Sequence, residues 1–151
     1  MNIGTLLASK GVNVVTIGPG HSIRHALTLL AEHNIGALVV VDPEGAPVGI
    51  VSERDIVRAL ARTEAILAQA VASIMIREVI IGTPQDDLIA VGSTMTERRI
   101  RHVPVMEGGH LVGIISIGDI VKAQRDQYQG EVDTLQLQLL HDEAPKVSQA
   151  S

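Results

Sequence analysis

The chain carries the stretch GIVSERDIV at residues 49–57 and repeats it as GIISIGDIV at residues 113–121. A second matching pair lies upstream of these, with VVTIGP at residues 14–19 and VIIGTP at residues 79–84. The spacing between the copies changes by one residue because a turn, DPEG in the first copy, is shortened to EGG in the second. Turns accept such deletions without disturbing the elements beside them. The sequence is therefore a tandem duplication of one structural unit.

The composition predicts a folded domain with an aliphatic core. The 151 residues are 46% hydrophobic and 19% charged, which suits a compact domain of ordinary size. Phe and Trp are absent and Tyr128 is the only aromatic residue. The core must therefore be built from Ile, Val, Leu, Ala and Met, and a flat ligand would have to lie between aliphatic side chains and backbone.

Charge and cysteine content exclude several classes of function. The net charge of −5 argues against non-specific binding to nucleic acid, which depends on neutralising phosphates. The absence of cysteine excludes disulfides, thiolate metal sites and a Cys nucleophile, and agrees with a reducing cytoplasm. The first residues lack the features of a signal peptide, and no apolar run approaches the ~20 residues that span a bilayer. We expect a cytoplasmic protein without a membrane partner.

Each copy is predicted to read strand, helix, strand, strand, helix. In the first copy these elements are a strand at 13–17, a helix from Ser22, strands at 37–41 and 47–51, and a helix from Ser52 to about Ala61. In the second copy they are a strand at 79–81, a helix at about 86–97, strands at 102–106 and 111–115, and a helix from Ser116. The run at 37–41 is apolar enough to be buried on both faces of its sheet.

Four segments follow from this pattern. They are residues 1–62, the first repeat with a short N-terminal helix that covers an exposed edge; 63–76, a helical connector; 77–127, the second repeat; and 128–151, a C-terminal helix or tail. Leucines at 135, 137, 139 and 140 predict a further amphipathic stretch that either packs on a partner subunit or frays. Residues 143–151 are polar, and we expect them to be disordered.

A repeat of about 60 residues is marginal in the surface that it buries on its own. Packing the sheets of the two copies together increases the buried surface, and we expect it to leave a cleft along a pseudo-twofold axis. Clefts of this kind are common ligand sites.

The strongest local motif is Ser52-x-x-Asp55, which recurs as Ser116-x-x-Asp119. One interpretation is a helix cap, in which the hydroxyl accepts from a backbone N–H and the acid suits the helix dipole. The other is a ligand site, because an acid beside a strand-to-helix turn can hold ribose hydroxyls. The two roles are compatible, since Ser can cap the helix while Asp binds the ligand.

Other polar groups have weaker patterns. The basic run from Arg98 to Arg101 is either a solvated helix end or a phosphate site. His21 and His25 have the i, i+4 spacing of metal ligands but no third ligand, so we predict solvated histidines and no metal. Gly18-x-Gly20 is predicted to be a turn, and no set of residues has the spacing of a catalytic site.

The repeated pattern resembles the cystathionine-β-synthase (CBS) domain family over about residues 3–123. The resemblance rests on the order Val-x-x-x-x-Pro, helix, Ile-x-x-x-x-Val, turn and Gly-Ile-Val/Ile-Ser-x-x-Asp-Ile-Val, present in both copies. RHVPV at residues 101–105 is especially similar to the second repeat of that family. It implies an α/β (α+β) fold in which tandem β-α-β-β-α repeats pack sheet to sheet with pseudo-twofold symmetry.

Paired CBS domains bind adenosine-containing ligands in the cleft between the repeats. The resemblance implies that ribose hydroxyls meet Asp55 and Asp119, with Ser52 and Ser116 nearby. The resemblance also implies that the adenine contacts a second group of residues, mainly through their backbone: Thr16, Ala37, Ile81, His102, Pro104 and Ile117. Phosphates are expected at the basic residues Arg54, Arg98, Arg99 and Arg101. Because Gly36-Ala37-Leu38-Val39 in the first copy becomes Arg101-His102-Val103-Pro104 in the second, we expect two unequal sites and favour the second.

The leading hypothesis is a regulatory binding module and not an enzyme. AMP is the favoured ligand, ADP, ATP, NAD and S-adenosylmethionine are further candidates, and no obligatory cofactor is expected. The resemblance also implies a homodimer formed through the repeat helices. We expect ligand binding to act on a separate effector protein or on the assembly state itself. Two alternatives stay open at this point, a ligand-free dimerisation module and a small nucleotide-using enzyme.

Overall fold

The structure is a computed structural model that describes residues 1–11 and 14–150, with side chains up to residue 141. The chain divides into two units, Met1–Ile117 and Gly118–Ser151. The first unit contains the first copy of the repeated pattern and the second copy up to the start of its last helix. Its first part comprises α1 (Ile3–Lys10), β1 (Thr16–Ile17), α2 (Ile23–His33), β2 (Ala37–Val41), β3 (Pro47–Ser52) and α3 (Glu53–Leu60).

The first copy forms a three-stranded sheet in the order β1-β2-β3. β1 runs parallel to β2, and β2 is antiparallel to β3. β1 is shorter than the strand predicted at 13–17, and Asn13 lies outside the described residues. Residues 37–40 are all buried, which confirms the prediction of a strand covered on both faces. The core beneath the sheet is aliphatic and includes Ile17, Ile23, Leu38, Val51 and Ile56.

The second copy contains α4 (Leu88–Arg98), β4 (His102–Glu107) and β5 (His110–Ser116). The prediction of a strand at residues 79–81 was wrong, because the pairing there is reduced to a single parallel bridge between Gly82 and Val105. In the first copy the Val39 N–H donates to the Val15 carbonyl at 3.4 Å. Pro104 occupies the equivalent position and has no N–H, so the ladder cannot extend there.

The segment that precedes each copy packs against the other copy. In α1, the Gly4 N–H donates to the Pro84 carbonyl at 2.8 Å, and a Cβ on Gly113 would lie only 2.6 Å from Leu7 Cδ2. The N-terminal helix therefore covers the second copy. The connector predicted as helical forms two short 3₁₀ helices, Glu64–Ala68 and Val71–Ser73, and then pairs Ile76 with Ile50 of β3.

The two sheets face each other through a small apolar layer. Ala37, Val39 and Ile50 of the first copy are buried there. Five residues, two of them from β5, pack against this layer: Val14, Val41, Val79, Leu111 and Ile114. This contact confirms the predicted packing of sheet against sheet.

The second unit is helical. The helix α5 spans Ile117–Ala150, and the apolar stretch predicted beyond Gly130 lies within it. Six of its apolar side chains are more than half exposed: Val121, Tyr128, Leu135, Leu137, Leu139 and Leu140. The disorder expected at residues 143–151 falls outside the part of the chain whose side chains are described. Among the described residues, no helix combines the length and hydropathy that crossing a membrane requires.

Candidate ligand-binding cleft

A cleft of about 460 Å³ opens in the first unit, between the β3–α3 junction of the first copy and the α4–β4 junction of the second. Its volume lies within the range of small-molecule sites. Residues from both copies and from the segment between them line it: Ile50, Ser52, Arg54, Asp55, Arg58, Ile76, Glu78, Arg99, Ile100, Arg101 and His102.

The first copy contributes Ser52 and Asp55, which form a reciprocal capping box at the start of α3. Asp55 Oδ2 accepts from the Ser52 N–H at 3.0 Å and from the Ser52 hydroxyl at 2.8 Å, while the Asp55 N–H donates to Ser52 Oγ at 3.2 Å. Within the described part of the chain, Asp55 Oδ1 accepts no hydrogen bond. The helix-cap interpretation is therefore confirmed for the first copy, and one carboxylate oxygen of Asp55 takes no part in the cap.

The second copy contributes Arg99, which has an unusual backbone conformation. It ends α4 in the left-handed region, at φ 56° and ψ 38°. The equivalent residue of the first copy is Asn34, at φ 50° and ψ 50°. Asn tolerates this region better than other residues that carry a Cβ, because its short amide bonds to nearby backbone. A position better suited to Asn is therefore occupied by an arginine that lines the cleft.

The cleft carries an excess of positive charge in an otherwise acidic chain. Four arginines line it, Arg54, Arg58, Arg99 and Arg101, against two acids, Asp55 and Glu78. Glu78 pairs with Arg98, outside the cleft, at 3.6 Å. None of the four lining arginines forms an ion pair with any described residue. Guanidinium groups without such an ion pair are suited to a ligand with phosphate or carboxylate oxygens.

Six of the residues predicted from sequence meet in this cleft: Ser52, Arg54, Asp55, Arg99, Arg101 and His102. The grouping differs from the expected one, because Arg101 and His102 of the second copy lie with Asp55 of the first. Arg98 does not line the cleft, and its side chain, which is 58% exposed, pairs with the lining residue Glu78.

The remaining predicted residues do not line the cleft. Ala37 is buried opposite Ser52 in the sheet, Thr16 is exposed on β1, and Pro104 is buried in β4. Ile81 lines a separate cavity of about 220 Å³ beside α4. Ser116 ends β5 and Ile117 begins α5, which also contains Asp119. The second ligand site expected around Asp119 stays a prediction.

Sequence reasoning missed five lining residues, Ile50, Arg58, Ile76, Glu78 and Ile100. Arg58 follows Arg54 by one helical turn, so the i, i+4 spacing could have indicated it. Ile76 reaches the cleft by pairing with β3, a contact that local pattern does not show.

The other candidate groups have structural explanations. The rings of His21 and His25 stack with centroids 5.0 Å apart. In the part of the chain that the structure describes, no three metal-binding side chains cluster. Gly18-Pro19-Gly20 forms a turn, closed by the His21 N–H donating to the Gly18 carbonyl at 3.2 Å.

Comparison with known proteins identifies the family of this duplicated fold. The family profile of the CBS domain matches twice, at residues 7–62 and 71–126. The chain belongs to the CBS domain family. The CBS repeats account for both halves of the first unit and for the start of α5.

Relatives agree with this assignment over most of the chain. A CBS-domain-containing protein from Agrobacterium tumefaciens has a crystal structure with 45% identity and a TM-score of 0.75, covering 82% of this chain and 99% of that one. A CBS domain pair crystallised with 5′-methylthioadenosine and S-adenosylmethionine is 29% identical with a TM-score of 0.73, covering 84% and 98%. A mitochondrial CBS-domain-containing protein of Arabidopsis thaliana is 34% identical over 76% of this chain, which spans 58% of that relative's length.

Proposed function

We propose that this CBS domain pair is a regulatory module that binds an adenine nucleotide in the cleft and acts on a partner protein or on its own assembly. The observation that carries the proposal is that Asp55 lines one cleft with arginines from both copies, which form no ion pair among the described residues. An acid with an available oxygen suits ribose hydroxyls, and the arginines suit phosphate.

Each part of the ligand has a matching group. The ribose hydroxyls donate to Asp55 Oδ1, which the capping box leaves available. The adenine lies against Ile50, Ile76 and Ile100 beside His102, since these residues line the cleft and no Phe or Trp exists in the chain. The phosphates face the arginines. The ligand is thus held by aliphatic contact and charge instead of aromatic stacking.

The charge of the cleft favours some adenosine compounds over others. A relative holds 5′-methylthioadenosine and S-adenosylmethionine, neither of which carries a phosphate. Four arginines without ion-pair partners in the described residues instead favour an anionic ligand here. AMP is the smallest ligand that satisfies ribose and phosphate contacts together, and ADP, ATP and NAD also satisfy them.

Binding across the two copies provides a means of regulation. A ligand that contacts both copies stabilises the arrangement in which those contacts form together. Coupling of this arrangement to a second interaction surface then changes the affinity for a partner. We expect this surface to lie on the repeat helices and to form a homodimer, because Val57 on α3 and Ile89 on α4 are 64% and 65% exposed.

A thermal-shift panel tests the proposal. AMP, ADP, ATP, NAD and S-adenosylmethionine are each added to the wild type, to Asp55→Ala and to Ser22→Ala. At ~100 times Kd, a ligand of the native state contributes about 2.7 kcal/mol, a rise in Tm of roughly 5–10 °C. Asp55→Ala is expected to lose this rise. Ser22→Ala is the matched control, because it removes the cap that accepts from the His25 N–H on α2, away from the cleft.

Asp55→Ala removes the carboxylate half of the capping box on α3, and Ser22→Ala removes the side-chain cap of α2. Each should therefore lower the stability of the unliganded protein by a similar amount, about 1 kcal/mol. Only the cleft variant should lose the ligand response. A full response in Asp55→Ala would refute the ribose assignment, and no response to any of the compounds in the wild type would favour a ligand-free structural module. Asp119→Ala in the same panel reports whether the second predicted site binds.

A further inference from the structure

A smaller cavity of about 260 Å³ lies beside the proposed nucleotide cleft. Asp55 and Arg58 line both cavities, so the two share a wall at α3. The smaller cavity is completed by Ala59, Arg62, Ser73 and Ile74. It contains no residue that the family resemblance or the sequence motifs had assigned to a ligand, apart from Asp55.

The two cavities are connected by a row of arginines. Arg54, Arg58 and Arg62 follow one another at intervals of four residues along α3 and its C-terminal end. Ala61, between the helix and Arg62, keeps right-handed helical angles of φ −60° and ψ −22°. Successive arginines therefore start about 6 Å apart on one face, along a line that runs from the cleft into the smaller cavity.

No arginine of this row is neutralised by an ion pair in the described part of the chain, although Asp55 lines both cavities. All three arginine side chains are exposed. Like charges at i, i+4 repel and destabilise a helix. A row of this kind is stabilised by an anion long enough to span several guanidinium groups, since each can bind phosphate oxygens bidentately.

We propose that the smaller cavity is a subsite for the distal phosphates of a polyphosphate chain. The proximal phosphate lies in the cleft near Arg54, Arg99 and Arg101, and the distal phosphates extend along α3 to Arg58 and Arg62. The ligand class that fills both cavities is a nucleoside triphosphate, which binds more tightly than the monophosphate. This inference rests on the proposed function and specifies the length of the anionic part of its ligand.

Isothermal titration of the full chain with AMP, ADP, ATP and inorganic tripolyphosphate, without divalent cations, tests the subsite. The variants are Arg62→Gln, Arg62→Lys and the matched control Arg24→Gln, an exposed arginine on α2 that lines neither cavity. The wild type should bind ATP about tenfold more tightly than AMP, the value of one good charge-assisted contact. Arg62→Gln should weaken ATP about fivefold to tenfold and leave AMP within about twofold.

Arg62→Lys keeps the charge and should retain most of the ATP preference, whereas Arg24→Gln should retain all of it. An equal affinity for ATP and AMP in the wild type, or an unchanged ATP preference in Arg62→Gln, would overturn the subsite while leaving the proposed function intact. If no adenosine compound binds, the proposed function fails. Tripolyphosphate binding that is lost in Arg62→Gln would then still support the subsite, and its absence would overturn both.

Discussion

The substitution Arg99→Asn should make the protein more stable and its ligand binding weaker. Arg99 ends α4 at φ 56° and ψ 38°, and Asn34 ends α2 in nearly the same conformation. The left-handed region costs roughly 1–2 kcal/mol for a residue with a Cβ, and Asn recovers part of that cost through local hydrogen bonds. We therefore expect a gain of about 1 kcal/mol, which corresponds to a Tm increase of about 2–4 °C for a chain of this length.

The same substitution removes one of the four arginines that line the cleft. Loss of one charge-assisted contact to phosphate should weaken an adenine nucleotide about tenfold. Urea or thermal unfolding measures the stability, and isothermal titration measures the affinity. The two effects have opposite signs, which distinguishes them from a general loss of structure.

The reverse substitution in the first copy, Asn34→Arg, is the matched control. It places an arginine in the left-handed conformation at a position that does not line the cleft. It should lower the Tm by a similar 2–4 °C and leave the affinity unchanged. A lower Tm in Arg99→Asn would refute the conclusion that Arg99 has a strained backbone conformation. An unchanged affinity would refute the conclusion that its side chain binds the ligand.

Two further predictions concern packing and assembly. Gly113→Ala introduces a Cβ that would lie 2.6 Å from Leu7 Cδ2, so it should destabilise the protein by about 1–3 kcal/mol in urea unfolding. Leu7→Ala should recover part of this loss in a double-mutant cycle, and strictly additive effects would contradict the close contact. Val57→Lys changes a side chain that is 64% exposed, so it should keep the helical content measured by circular dichroism but reduce the mass measured by light scattering. Its Tm should fall only by the contribution of dimerisation. An unchanged mass would show that α3 is not part of the proposed dimer interface.

Most of the secondary structure could be predicted from the sequence, because the duplication shows the hydrophobic pattern of each element twice. Strand β2 at 37–41 was predicted with its observed bounds, and β3, β4 and β5 within one residue at each end. The prediction of a strand at 79–81 failed for a chemical reason. An apolar β-branched run forms a strand only when its neighbour can pair, and Pro104 lacks the N–H that Val39 supplies in the first copy.

The candidate site could be predicted only where its parts are close in the chain. Ser52 and Asp55 are three residues apart, so the capping box and the acid beside it follow from local pattern. Arg62 was not recognised, although its spacing from Arg58 is equally local, because an exposed arginine on a helix is usually solvated. The proposed role of Arg62 in binding phosphate depends on the cavity that it lines.

The sequence by itself determined the duplicated unit, the order of its elements and the residue types able to hold ribose and phosphate. These properties depend on hydrophobic periodicity and on contacts within one or two helical turns. Only the tertiary structure decided that Asp55 of the first copy meets Arg99, Arg101 and His102 of the second. That meeting depends on how two nearly equivalent sheets pack on one another and on the exchange of the segments that precede them. The repeats specify such packing through their combined buried surface, which no single stretch of sequence contains.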